Sequence, residues 1–199
     1  MLAAAAALDT PLFPGGAASE EDAARAALDS MLEELEAASP VAAPLAEGPT
    51  RAVLCGRWRL LYASAGTVVT ASKLGSLIRS LSVLPFVGLE GVEQELEDLD
   101  GAIVCRNAAD FGLGLFGSWR VVIFGSWAPT TPSLAAVAFD SYSLQMQKVL
   151  GVPVPAPTIR IPVPAAARRV AEFSTTYLSA GVRISRGRSR NAFLFVRED

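Results

Sequence analysis

Residues 175–197 read TTYLSAGVRISRGRSRNAFLFVR, three apolar runs rich in β-branched and aromatic residues. The first break is Ser179-Ala180-Gly181 and the second runs from Gly187 to Asn191. A three-residue hairpin loop favours a left-handed residue at its third position, where Gly181 stands, so the runs are consecutive antiparallel strands. Arg183, Arg186, Arg188, Arg190 and Arg197 are set into them or beside them. A guanidinium is costly to bury unpaired, so the question is what these five face.

Upstream the same period of two begins at Gly56. In GRWRLLYAS (56–64), Trp58, Leu60 and Tyr62 point one way and Arg57 and Arg59 the other, as in a strand with one wet face. Further strands are expected at 90–98, 102–109, 115–125, 134–142, 159–163, 170–178, 182–186 and 192–197. Eight or nine short strands separated by turns indicate a mainly β protein whose antiparallel sheet closes into a barrel. Residues 66–84 fit a short helix plus loop, which Pro85 closes.

Before the strands, Ser19 opens an S-E-E-D capping box, whose acids also suit the first turn of a helix. A helix over 19–38 carries Leu28, Met31, Leu32 and Leu35 on one stripe, so it docks on something. Pro40, Pro44, Gly48 and Pro49 mark a linker. The chain divides into a flexible segment 1–18, the helix, the linker 39–55 and a barrel over 56–199.

Composition bounds the function. A chain of 199 residues fits one domain. It is 51% hydrophobic with a mean hydropathy of +0.37, partly through alanine, and a cavity or membrane contact would use the excess. The longest uncharged run, Val121 to Phe139, holds Gly125, Pro129 and Pro132, which suit a turn between strands better than a membrane-spanning helix. The amino terminus has neither the basic flank of a signal peptide nor the Arg/Ser-rich character of a transit peptide.

Residues 1–100 carry 6 basic and 15 acidic side chains, and 101–199 carry 11 and 5. An acidic helix with a basic rim accounts for this, and so does a basic surface that meets anionic lipid. Cys55 and Cys105 are too few and too far apart for a disulfide framework or a zinc cluster. With no histidine in the chain, the commonest general base and metal ligand are both missing. No catalytic residue, metal site or cofactor is assigned. The run EQELEDLD (93–100) puts Glu93, Glu95 and Glu97 on one exposed face. The arginines lack the interleaved aromatics of a nucleic-acid stacking platform, so no nucleic-acid partner is expected.

The pairing of GRWRLLYAS (56–64) with TTYLSAGVRISRG (175–187) and the closing NAFLFVR, together with QELEDLDGAIVCRN (94–107), resembles the plastid lipid-associated protein family, the fibrillins or plastoglobulins. The similarity spans roughly 20–199. It implies a lipocalin-like barrel in a chloroplast protein of thylakoids or plastoglobules, associated with lipids and prenylquinones. The hairpin Gly187-Arg188-Ser189-Arg190-Asn191 is more basic than the acidic or glycine-rich turn of that family.

In such a barrel the first and last strands pair, which brings Trp58 near Arg197, with Arg183 beginning the neighbouring strand at the same end. A guanidinium stacked on the indole would close the floor, Arg183 first and Arg197 second. Arg186, Arg188 and Arg190 then fall at the mouth, as candidate contacts to a membrane or lipid-droplet surface. By the same parity Trp58, Leu60, Tyr62, Gln94, Leu96 and Asn107 line the cavity, joined by Phe116, Trp119, Phe139 and Tyr177. Gln94 and Asn107 are placed to fix a quinone or carboxylate head. Three readings follow, in this order: a non-enzymatic protein that binds, stores or carries prenylquinones, fatty acids or other isoprenoids; a scaffold whose acidic helix contacts a plastid enzyme of prenyl-lipid synthesis; and an enzyme that uses Tyr177 or a lone carboxylate.

Overall fold

The computed structural model describes residues 19–64, 87–113, 117–168 and 170–198. The expected flexible segment 1–18, the helix-plus-loop over 66–84, Phe116 and the side chains of the capping box lie outside the described residues. The elements are helix α1 (Ser19–Ala37), helix α2 (Pro49–Leu54) and strands β1 (Gly56–Ala63), β2 (Val87–Leu99), β3 (Ala102–Leu113), β4 (Ser118–Pro129), β5 (Leu134–Val149), β6 (Val152–Pro153), β7 (Ile159–Pro162), β8 (Val170–Leu178), β9 (Val182–Gly187) and β10 (Ala192–Glu198). The protein is mainly β. Its strands pair antiparallel in the order β4-β3-β2-β1-β10-β9-β8-β5, and β5 pairs again with β4. The sheet therefore forms a ring, and short β6 and β7 flank the far half of β5.

The ring has two cores. The inner one contains Trp58, Leu60, Val92, Leu96, Cys105, Phe111, Val121, Trp127, Leu178, Phe193 and Phe195. The outer one lies under α1, where Leu28 and Leu32 meet Tyr62, Ile184, Ala192 and Leu194. Leu35 packs beside them, whereas Met31 of the expected stripe is exposed. Glu36 fixes the end of α1, accepting from the Arg186 Nε at 2.8 Å, from its Nη2 at 2.8 Å and from the Thr176 hydroxyl at 2.5 Å.

Two β-bulges make room for this helix. Leu60 pairs with Phe195 but Tyr62 pairs with Leu194, and Thr175 pairs with Ser185 but Tyr177 with Ile184. Each strand gains one residue against its partner, and two successive side chains turn outward. Leu61 with Tyr62, and Thr176 with Tyr177, meet α1 in this way.

The stretch expected as a linker, 39–55, closes one end of the ring. Pro49 opens α2 with its fixed φ, and Leu45 and Leu54 are buried against Trp58 and its neighbours. Arg51, itself buried, donates to the Leu45 carbonyl, to the Gly101 carbonyl at 3.2 Å and to Asp98 at 3.3 Å. These bonds tie the plug to the β2–β3 turn. The acidic face of β2 lies outside and is laddered with arginines, Glu93 to Arg120 and Glu95 to Arg106.

Candidate functional site

At the plugged end, β1 and β10 pair Trp58 with Arg197. The Arg197 guanidinium stands over the indole with Cζ 4.6 Å from the ring centroid, and Arg183 stands over it from β9 at 5.0 Å. Arg197 donates to the carbonyls of Ala180 at 2.9 Å, Cys55 at 3.2 Å and Val53, and the Trp58 indole N–H donates to Leu54 at 2.8 Å. The bonds to Val53, Leu54 and Cys55 satisfy carbonyls at the end of α2, which a helix terminus otherwise leaves open. Gly56 lies at a φ of 138°, and a Cβ there would meet the Arg197 Nη1. A residue with a side chain would push the guanidinium out of the place from which it closes the floor.

Arg183 is completely buried. Its guanidinium lies 4.2 Å from the Phe195 ring and 5.9 Å from that of Trp127, and its Nη2 donates to the Gln94 Oε1. The Gln94 Nε2 in turn donates to the Asn107 Oδ1 at 2.7 Å. A polar chain thus runs from the floor onto the wall of the ring. Burial first, and the charge of Arg197 second, bring the Arg183 pKa down to about 9.

Beyond this chain lies an apolar cavity of about 60 Å³, lined by Leu60, Val92, Gln94, Asn107, Ile123, Trp127, Val137, Phe139, Phe173, Ser185, Phe193 and Phe195. One water needs roughly 10–15 Å³ measured this way, so the space suits several methyl or methylene groups. Phe139 reaches it by simple alternation, two residues after Val137 on β5 and opposite Gly125 of β4. A Cβ at Gly125 would come within 2.9 Å of the Phe139 ring.

Of the residues expected on the cavity wall, Leu60, Gln94, Asn107 and Phe139 line it. Trp58 and Leu96 are buried in the inner core without bordering the cavity. Trp119 shares the parity of Val121 and Ile123, being two and four residues before them on β4, and does not border it either. Tyr62 and Tyr177 face away from it. The bulges after Leu60 and Thr175 invert the alternation, and both phenols lie under α1, with the Tyr62 hydroxyl donating to Asp29 at 3.0 Å. Burial, then Asp29, push the Tyr62 phenol up to about 12. The lining residues missed in sequence include Phe173, Ser185, Phe193 and Phe195. The parity that puts Arg183 and Arg197 inside places Ser185, Phe193 and Phe195 inside as well.

The arginines expected at the mouth separate. Arg186 is held by Glu36, with only 15% of each side chain exposed, whereas Arg188 and Arg190 are exposed on the β9–β10 turn. That turn is at the end of the ring away from Trp58. Val170, the first residue of β8 at the same end, is exposed, as are Leu150 in the turn after β5 and Val152 at the start of β6. Among the described residues no helix is long and apolar enough to cross a membrane.

A ring of antiparallel strands, plugged at one end and enclosing a small apolar cavity with a polar chain at its base, defines the molecule as a mainly β protein with an apolar interior. The chain belongs to the PAP_fibrillin family, whose model matches residues 11–196. This is a family of plastid lipid-associated proteins, found with plastoglobules. Comparisons with curated proteins and with solved structures gave no match.

Proposed function

We propose that the protein is a non-enzymatic carrier or store of hydrophobic metabolites, prenylquinones, fatty acids or other isoprenoids, held inside a lipocalin-like barrel at a thylakoid or plastoglobule surface. The observation that carries this reading is the cavity, whose wall is aliphatic and aromatic except for Gln94, Asn107 and Ser185. An apolar space with a few polar groups is the usual form of a small-molecule site. Two features at the unplugged end support surface docking: the arginines Arg188 and Arg190, and the exposed apolar Leu150, Val152 and Val170. Basic side chains draw a protein to anionic lipid and apolar ones insert. The scaffold reading has less to draw on, because the apolar stripe of α1 is spent on the ring and its outer face offers Glu33, Glu34 and Met31.

The test is a titration of the full chain with a short-chain prenylquinone, followed by tryptophan emission, since Trp127 lies on the cavity wall. Saturable quenching that a fatty alcohol displaces supports the reading. Linear quenching that nothing displaces means the ring is simply a packed core.

A further inference from the structure

We propose that Arg183 is the counter-ion for a carboxylate, the head of an amphiphile whose chain begins in the cavity. The proposal rests on the reading of the ring interior as an apolar ligand site and names the chemical class of ligand it takes.

Three other enclosed guanidiniums of this chain meet carbonyl or carboxylate oxygens. Arg51 has two carbonyls and a carboxylate, Arg186 has Glu36, and Arg197 has three carbonyls. Arg183 is more deeply buried than any of these, yet it has the Gln94 amide oxygen as its acceptor and its Nε and Nη1 have none among the described residues. The rings of Trp58, Trp127 and Phe195 attract the charge but accept no N–H bond in the plane of the fork. A buried cation without an anion is among the costliest arrangements in a protein.

Two further donors stand beside it. Ser185 shares the inward face of β9 with Arg183 and pairs with Thr175 across to β8. The hydroxyl oxygens of both are buried and without a hydrogen-bond partner among the described residues. Ser185 and Gln94 border the cavity, so a ligand head entering along the ring axis meets a hydroxyl and the amide that covers Arg183. A guanidinium fork matches a carboxylate with two parallel bonds, and the nearby hydroxyl supplies a third. Arg183 supplies one formal positive charge at the head, while the neighbouring Arg197 is tied to three carbonyls of the floor; a single free guanidinium suits a monocarboxylate. The apolar walls beyond it take the first carbons of the chain.

A role in folding alone predicts something different, because a buried charge is commonly replaced by an apolar isostere without loss of stability. The experiment compares laurate with dodecanol, which share a chain and differ in the head, by tryptophan emission on the full chain and on Arg183→Met. Laurate is expected to bind the parent at least about tenfold more tightly than dodecanol, as a charge-assisted pair requires. Arg183→Met should keep dodecanol binding and lose the preference. Should the variant not fold, the parent suffices: the carboxyl carbon resonance of bound [1-¹³C]laurate should stay that of the anion down to about pH 4, because the guanidinium holds the proton off. Equal affinity for laurate and dodecanol, or a bound carboxyl that titrates at or above its ordinary pH, overturns the proposal and leaves the apolar site standing. If neither compound binds saturably, the cavity is not a ligand site and both readings fall.

Discussion

Trp58 and Arg197 face each other across the pair formed by β1 and β10, with the guanidinium carbon 4.6 Å from the centre of the indole. The same guanidinium holds the carbonyls of Val53, Cys55 and Ala180, so one side chain joins the plug, the first strand and the β8–β9 turn. Arg197→Ala should lower stability by about 1–3 kcal/mol through carbonyls left unbonded. Arg197→Lys should recover only part, because one ammonium cannot meet three carbonyls and a ring at once. A cycle with Trp58→Phe in urea denaturation should show coupling of about 0.5–2 kcal/mol; strict additivity would mean the contact carries no energy.

Gly56 is the silent member of the same floor. Gly56→Ala should reproduce most of the loss seen for Arg197→Ala, because the added methyl occupies the place of the Arg197 Nη1. Combining the two changes should cost clearly less than their sum. Unfolding curves of the three variants settle it.

The Tyr62 phenol supplies a pH dependence with a definite sign. Its pKa is 10.0 when unperturbed and about 12 when folded, so the folded state holds the proton more tightly. The associated stability is complete below pH 10 and is lost as the pH rises through about 12. Tyr62→Phe should flatten the fall in stability between about pH 10 and about pH 12. In the parent, tyrosinate absorbance should show one phenol titrating late.

Arg186 and its neighbours on the hairpin should part company on vesicles. Arg188→Ser with Arg190→Ser should weaken flotation with anionic liposomes by about 2 kcal/mol, near thirtyfold at low salt, and salt should erase the difference. Arg186→Gln should leave flotation unchanged and instead release α1, seen as faster proteolysis of the helix. A double variant that floats like the parent would move the docking surface to Leu150, Val152 and Val170.

Much of the ring was legible because alternation is a strong signal: the strands begin and end close to where the apolar runs do, and the first pairs with the last. What alternation cannot show is an extra residue. LLY at 60–62 and TTY at 175–177 read like any other strand, yet each holds a bulge that sends a tyrosine outward. The cause is tertiary: α1 needs apolar surface on the outside of these two strands, and no local residue announces it. Helix α2 was missed for another reason, since 6 residues are too few to display a helical period. The ion pair of Arg186 was not legible because its partner, Glu36, lies 150 residues away in sequence.

The two cores have a consequence for the order in which the protein can be made. Strand β10 is synthesised after every other strand of the ring, and it feeds both sides of the sheet, Phe193 and Phe195 inward and Ala192 and Leu194 toward α1. Until it emerges from the ribosome, Trp58 lacks Arg197 and α1 lacks half its seat. The helix and first strand therefore keep part of their apolar faces uncovered until β10 joins them. Closure of the ring thus rests on contacts between residues far apart in sequence, the kind of topology that folds slowly.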